Sequence, residues 1–429
     1  MRAPEKMIIY NLFPLLAGRF SDWHGHIARA ARMRFNWIFV NPIQKPGRSG
    51  SLYSVADPCA FNPLLIDPKS AKKPEEQVRD MIARAEGEGV HMMTDLVVNH
   101  CATDSRLLEE HPEWFLWEGK GKVAHPFAMD NGRKVVWQDL AKFDHEGTAD
   151  KEGLFRYFLR LVEFLQELGF KAFRCDAAYQ VPVAFWRRLI SETKAKRPEC
   201  LFFAETLGCS PQQTKETASA GFDYVFNSSK WWDFESPWLL EQYNLTREVA
   251  ASVSFAESHD TRRLLEECGG IVDGVKQRYL FAAYFSAGVM MTMGFEFGFK
   301  RKLNVVTTRP EDWEDTGVDL TPFITEVNRM KETYSILQEE APTDTVRCSN
   351  RAVLLMRKQS ARSSDASLLI LNKDIHSTQS FFAESLDDLV RSRTPLANVS
   401  PEYRLEQVAS PFACDLKPGQ GIVLVTKSH

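Results

Sequence analysis

Short runs of apolar, β-prone residues alternate with longer stretches of mixed polarity through most of the chain. This is the texture of strand and helix units that close on a parallel sheet. Eight runs read as strands: Met7 to Tyr10, Trp37 to Asn41, Val90 to Val97, Phe170 to Cys175, Leu201 to Ala204, Tyr224 to Phe226, Ser252 to Phe255 and Gly288 to Met293. Helices are predicted between them, among them Pro74 to Glu86, Gly153 to Leu168 and Pro182 to Lys196. Pro74 and Pro182 suit a first helical turn, where no N–H is needed. Eight such units make an α/β fold, a (β/α)8 TIM barrel, over residues 1–100 and 150–338. The one long gap, 101–149, breaks the alternation with Trp114, Trp117, Pro126, Gly132 and Trp137, and reads as a subdomain inserted after strand 3. Beyond a helical stretch, Thr321 to Leu337, short alternating runs follow at Val353 to Met356, Leu368 to Leu371 and Gly421 to Val425. They predict a C-terminal antiparallel β-sandwich domain over 339–429.

A barrel of about 250 residues leaves room in this chain for both additions. With 44% hydrophobic and 26% charged residues and a net charge of −4, the chain has the composition of an ordinary globular protein. It lacks the basic excess that would bind a phosphate backbone, so nucleic acid is not an expected partner. The opening Met1-Arg2-Ala3-Pro4-Glu5-Lys6 runs into a short apolar strand without the apolar core of a signal peptide. The longest apolar run, Tyr279 to Met293, is interrupted by Ser286 and Gly288 and is too short for a bilayer span. A cytoplasmic protein without membrane contact is expected. Cys59, Cys101, Cys175, Cys200, Cys209, Cys268, Cys348 and Cys414 are scattered, without a Cys-x-x-Cys pair, so reduced thiols are expected. Oligomeric state leaves no mark on the sequence.

Reactive groups of such barrels sit at the C-terminal ends of the strands. There the chain carries Asp95-Leu96-Val97-Val98-Asn99-His100, Phe173-Arg174-Cys175-Asp176-Ala177, Phe203-Ala204-Glu205-Thr206 and Phe255-Ala256-Glu257-Ser258-His259-Asp260. One acid after an apolar run is commonly a helix cap. Four acidic clusters, each after its own strand, are not explained that way. In this order the segments resemble the four conserved regions of the alpha-amylase superfamily, the family-13 glycoside hydrolases. Further matches are Tyr10-x-x-Phe13-Pro14, the stretch from Gly50 through Tyr53 to Asp57, Trp137-Gln138-Asp139-Leu140 and Gly294-Phe295-Glu296-Phe297-Gly298. The resemblance spans roughly residues 7 to 330 and implies a retaining glycoside hydrolase acting on α-glucan or malto-oligosaccharide.

Retention needs one carboxylate to attack the anomeric carbon and a second carboxyl to protonate the leaving oxygen. Asp176 and Glu205, on neighbouring strands, suit nucleophile and acid/base. Arg174 has the strand period to point into the same site and keep Asp176 ionised. Glu205 must arrive protonated, so burial and the nearby Asp176 and Asp260 are expected to raise its pKa. The resemblance implies that Asp260 holds the hydroxyls of the reacting sugar and stabilises the transition state, and that His100 and His259 hydrogen-bond the same sugar. By the same likeness Asp95 orients Arg174 and Asp176, Tyr53 stacks on the sugar, and Asp57 joins the substrate-binding set. Trp114, Trp117, Trp137 and the pair Trp231-Trp232 are either further sugar platforms or core.

The pattern departs at Tyr179-Gln180, where many alpha-amylases have Lys-His, at Ala141 after Asp139-Leu140, and at Thr206 after the acid. Asn99 stands where the family's calcium asparagine often does, but its histidine partner is replaced, so no metal or cofactor is expected. His111 to Phe115, Phe185 to Ile190, Arg197 to Glu205 and Thr308 to Trp313 resemble the branch of maltose-1-phosphate maltosyltransferases. Those enzymes carry a large N-terminal domain, whereas the barrel here begins near residue 7. Hydrolysis, glucanotransfer or maltosyltransfer, and isomerisation of the trehalose-synthase kind share one covalent intermediate. A catalytically silent barrel is the non-enzymatic alternative, opposed by the presence of Asp176, Glu205 and Asp260.

Overall fold

Eight parallel strands close into a barrel in chain order: β1 (Met7–Leu12), β2 (Trp37–Val40), β3 (His91–Leu96), β4 (Ala172–Cys175), β5 (Leu201–Ala204), β6 (Tyr224–Phe226), β7 (Ala251–Phe255) and β8 (Gly288–Thr292). The ends move by at most two residues from the sequence reading. This computed structural model describes residues 6–427 except 120, 131, 132 and 406. Residues 1–5, read above for targeting, and Gly132 lie outside the described residues.

The period of two explains why buried strands still present chemistry. Met7, Ile9, Trp37, Phe39, Met93, Ala172, Phe203, Val253 and Phe255 pack together inside the barrel. Their neighbours Ile8, Ile38, Met92, Phe173, Phe202 and Ala204 pack outward in the main core with the helices. Extending the inward rows past the strand ends brings Asn11, Asn41, Asp95, Arg174, Asp176 and Glu205 to the barrel mouth.

The helix Pro74–Gly87 starts with Pro74 in its first turn. Lys151–Leu168 is capped by Asp150, which accepts from the Gly153 N–H at 2.9 Å, and closes on Gly169 at φ +115°. Pro182 is a correction to the sequence reading. Its ψ of 135° is extended, so it is the cap and Val183 begins the helix. The stretch from Thr321 also divides, into Thr321–Thr333 and a 3-10 turn at Ser335–Leu337 with extended Tyr334 between. There the buried Lys331 ammonium donates to the Leu337, Ala283 and Ser286 carbonyls.

Gly294, just past β8, holds φ +92°, and a Cβ there would meet the Phe299 ring at 2.3 Å. Gly294→Ala is therefore expected to lower unfolding free energy by about 2 kcal/mol or more, read from urea denaturation. An unaltered midpoint would show that this turn is not under steric constraint.

After β3, His100–Ala102 pairs with Leu140–Lys142, and Phe127–Asp130 with Arg133–Val136. Phe115 stacks on Phe143 at 4.7 Å, and Trp114 is buried with its Nε1 donating to Asp150, so Trp114 is core. The β2 loop carries a further pair, Gln44–Pro46 with Val55–Phe61, absent from the sequence reading.

The C-terminal strands β9 (Thr343–Val346), β10 (Val353–Gln359), β11 (Ala366–Asn372), β12 (Gln379–Ala383), β13 (Leu396–Asn398), β14 (Phe412–Leu416) and β15 (Gly421–Thr426) form two antiparallel sheets. One has order β9-β10-β11-β15-β13 and the other pairs β12 with β14. Leu354, Met356, Leu369, Leu371, Val423 and Val425 face the barrel core. The alternate residues Val353, Leu355, Leu368, Ile370, Ile422 and Leu424 pack with Phe381 and Phe412 of the second sheet. All eight cysteines are free thiols. Among the described residues no helix is long and apolar enough to cross a membrane.

Candidate active site

Arg174 is the electrostatic centre of the mouth. Its Nη1 donates to Asp95 Oδ1 at 2.5 Å and to Asp176 Oδ1 at 3.2 Å, with all three side chains buried or nearly so. Burial works against its charge, but the surrounding Asp95, Tyr53, Asp176 and Glu205 outweigh it and hold the guanidinium protonated. Burial pushes Asp95 up to about 6 against the pull of Arg174.

Asp176 is followed by Ala177 at φ +42°, a left-handed conformation that costs a non-glycine residue about 1–2 kcal/mol. The strained turn has a visible product. It aims the Ala177 N–H at Glu205 Oε2, 2.9 Å away, while Ala178 N–H donates to the Glu205 carbonyl at 3.1 Å. The Leu207 N–H donates to Glu205 Oε1 at 2.8 Å. Burial is the largest influence on Glu205, opposed by Arg174 and reinforced by Asp176. It raises the carboxyl to about 7, so the group exchanges a proton near neutrality.

Tyr53 spans the mouth. Its hydroxyl donates to Asp95 Oδ2 at 2.7 Å, lies 2.8 Å from His259 Nε2 and accepts from Asn41 Nδ2 at 2.9 Å. Its ring lies parallel to that of His259 at 5.6 Å. Asp260, with its side chain 63% exposed, has Oδ2 3.0 Å from His259 Nε2. Crowding pushes Asp260 up, but His259, Arg174 and Lys302 pull it down to about 2. His100 is buried and burial lowers its pKa, so the ring is neutral. Among the described residues neither of its nitrogens has a hydrogen-bond partner, nor has His259 Nδ1. All three nitrogens are buried from solvent.

Asp57 does not join this group. It is exposed on Val55–Phe61, opposite Lys45, and its Oδ1 accepts from its own strand's Cys59 N–H at 3.0 Å. The turn before that strand directs Tyr53 inward and leaves Asp57 exposed. Asn99 donates from Nδ2 to Gln180 Oε1 at 3.1 Å, and Gln180 Nε2 donates to the Phe127 carbonyl at 3.3 Å. Calcium prefers six to eight oxygens with carboxylates among them. The Asn99 amide nitrogen instead faces Gln180, and no group of three or more His, Cys, Asp or Glu side chains among the described residues is disposed to hold a metal ion. Among the described residues, the Asn99 Oδ1 is buried without a hydrogen-bond partner.

The sequence reading overlooked the anchor of the Asp260 loop. Arg263, 1% exposed, donates to Glu257 Oε1 at 2.6 Å, to the Met293 carbonyl at 2.9 Å and to the Arg301 carbonyl at 3.1 Å. Glu257 Oε2 also accepts from the Leu264 N–H at 2.6 Å. Arg263→Met leaves the buried Glu257 carboxylate without its paired guanidinium and is expected to cost about 3–5 kcal/mol in chemical denaturation. Adding Glu257→Gln should recover part of that loss, and additive losses would rule out the coupling. A glutamate six residues before an arginine, both beside a strand end, was the only signal available in the sequence.

A model of the glucanotransferase domain of glycogen debranching enzyme matches residues 3–116. Alpha-1,4-glucan:maltose-1-phosphate maltosyltransferase from Burkholderia pseudomallei is 24% identical over 84% of this chain and 32% of that protein. The protein of that name from Rhodospirillum rubrum is 25% identical over 84% of this chain and 55% of its own length. The chain thus spans about a third to a little over half of these relatives. Among solved structures, an alpha-amylase from H. orenii superimposes with a TM-score of 0.79 at 12% identity, over 99% of this chain and 100% of that one. An alpha-amylase from Lactobacillus plantarum has a TM-score of 0.76 at 18% identity, over 98% and 99%.

Proposed function

We infer that this chain, an alpha-amylase-family protein related to the maltosyltransferases, is an α-glucan-active retaining enzyme with Asp176 as nucleophile and Glu205 as acid/base. The observation that carries the reading is the placement of the two carboxyl groups. They end adjacent strands and share the Ala177 turn, with Arg174 on Asp176 and a raised pKa on Glu205.

In the first step the Asp176 carboxylate attacks the anomeric carbon and the bond to the leaving oxygen breaks. Glu205 gives its proton to that oxygen. In the second step Glu205 takes the proton of an incoming hydroxyl, whose oxygen displaces Asp176 from the same carbon. Arg174 keeps the nucleophile ionised. Asp260, His259, His100 and Tyr53 surround the donor sugar, with Asp260 ionised to face its developing positive charge. Water as the incoming group gives hydrolysis, and a sugar hydroxyl gives transfer. The names of the sequence relatives favour maltosyl transfer to α-1,4-glucan as the second reading.

The deciding assay incubates the protein with maltoheptaose, with and without maltose-1-phosphate, and resolves products by length. Shorter chains with new reducing ends support hydrolysis. Longer chains without net new reducing ends support transfer. No change in either mixture would overturn the enzymatic reading.

A further inference from the structure

A chain of hydrogen bonds runs from the barrel interior to the mouth, and its direction is fixed at the inner end. There the Phe39 carbonyl of β2 can only accept. Asn11, buried on the inward row of β1 and paired with Phe39 across the strands, donates to that carbonyl from Nδ2 at 3.2 Å. The same nitrogen gives its second N–H to Asn41 Oδ1 at 3.0 Å. Asn41, buried just past β2, therefore turns its own Nδ2 the other way, where it donates to the Tyr53 hydroxyl at 2.9 Å. One backbone acceptor thus sets the orientation of two side-chain amides.

A phenol has one proton to give. Besides Asn41, two atoms face the Tyr53 oxygen: Asp95 Oδ2 at 2.7 Å and His259 Nε2 at 2.8 Å. Asp95 is paired with Arg174 and is a carboxylate at neutral pH, so it can only accept, and it takes the proton of the hydroxyl. His259 Nε2 then faces an oxygen with no proton left to offer, and a bare lone pair there would be repelled at 2.8 Å. The nitrogen must carry hydrogen. Its N–H lies between the Tyr53 oxygen and Asp260 Oδ2, the latter 3.0 Å away. The other neutral tautomer, with the proton on Nδ1, would set a lone pair against both oxygens.

We propose that Asn41 is a positioning residue for the reaction: by donating to Tyr53 it commits that hydroxyl to Asp95 and keeps His259 protonated at Nε2. The hydroxyl then supports the charged Asp95 that holds Arg174, and His259 presents a donor to Asp260. Asn11 orients Asn41 in the same way from the neighbouring strand. The two amides touch Phe39, each other and Tyr53, so their influence on the mouth passes through the tyrosine oxygen. The part played in turnover rests on the function proposed above, whereas the direction of the chain does not.

Nitrogen-15 spectra of the full chain, labelled at histidine and assigned with His259→Gln, read the tautomer directly. At neutral pH His259 Nε2 is expected at the shift of a protonated nitrogen. A bare Nε2 with the proton on Nδ1 overturns the chain. Kinetics on maltoheptaose test the role of Asn41. Asn41→Leu and Tyr53→Phe are each expected to lower kcat about tenfold, one hydrogen bond's worth at a charged site, with KM altered less than about twofold. The double variant should be no slower than Tyr53→Phe, because without the hydroxyl Asn41 has nothing to direct. Losses that multiply, or an Asn41→Leu protein as fast as the unsubstituted one, overturn the positioning role. Asn41→Ala, which removes the same donor, serves the cycle if Asn41→Leu does not fold. If the unsubstituted protein turns over no maltoheptaose, the proposed function falls and the positioning role with it, while the spectrum still decides the direction of the chain.

Discussion

Asp176→Asn is expected to lower turnover of maltoheptaose by roughly four to six orders of magnitude, because in the proposed mechanism this carboxylate forms the ester to the anomeric carbon. Glu205 has both oxygens committed to the N–H groups of Ala177 and Leu207, and Asp95 is held by Arg174 and Tyr53. The loss should be as severe on α-maltosyl fluoride, since an activated leaving group still needs a nucleophile. Stability should move little, by about 1 kcal/mol, because Arg174 keeps its closer partner Asp95 at 2.5 Å. Paired measurements of turnover and urea denaturation decide it. Residual activity above about a hundredth of normal would assign the nucleophile elsewhere.

Glu205→Gln should show a different signature. Maltoheptaose turnover is expected to fall roughly 10²–10⁴-fold, whereas ester formation from the fluoride, which needs no acid, should largely survive and accumulate the intermediate. Exogenous azide, which needs no base, should then discharge it as the α-glycosyl azide. The pH dependence carries the same assignment. Because Glu205 must be protonated to act, kcat/KM on maltoheptaose should decline as pH rises through about 7, and this limb should vanish in the variant. The stability linkage has the matching sign. A carboxyl raised from 4.5 to about 7 by folding stabilises the fold fully below the lower value, and this contribution is lost as pH rises through the upper one. Glutamine removes that dependence. Its single carbonyl cannot accept from both Ala177 and Leu207, so a further cost of about 1–3 kcal/mol is expected at low pH. An unaltered alkaline limb in Glu205→Gln would contradict the acid/base role.

The barrel was legible because its strands are short, apolar and punctuated, and because an inward row that ends in Arg174 and Asp176 cannot be buried and idle. What depends on chain direction after a strand was not legible. Tyr53 and Asp57 lie four residues apart in one signature, yet the turn before Val55–Phe61 sends one into the mouth and the other to solvent. Trp231 and Trp232 are adjacent and equally apolar, and only the partner carbonyl of Ser236 separates core from surface. The Ala177 turn and the Arg263 anchor were also hidden. The first is a backbone conformation without a glycine to announce it, and the second joins groups that meet only after β7 and β8 are side by side.

The link from Asn99 through Gln180 to the Phe127 carbonyl ties the end of β3, the turn after Asp176 and the inserted hairpin into one unit. Every member is covalently part of the chain, so the tie is unimolecular. Its occupancy is set by the effective concentration that folding gives the three segments, not by the free concentration of any solute. Dilution cannot empty it, and neutral amides give salt little to screen. The three segments around the turn after Asp176 are therefore tied together by the same event that closes the barrel.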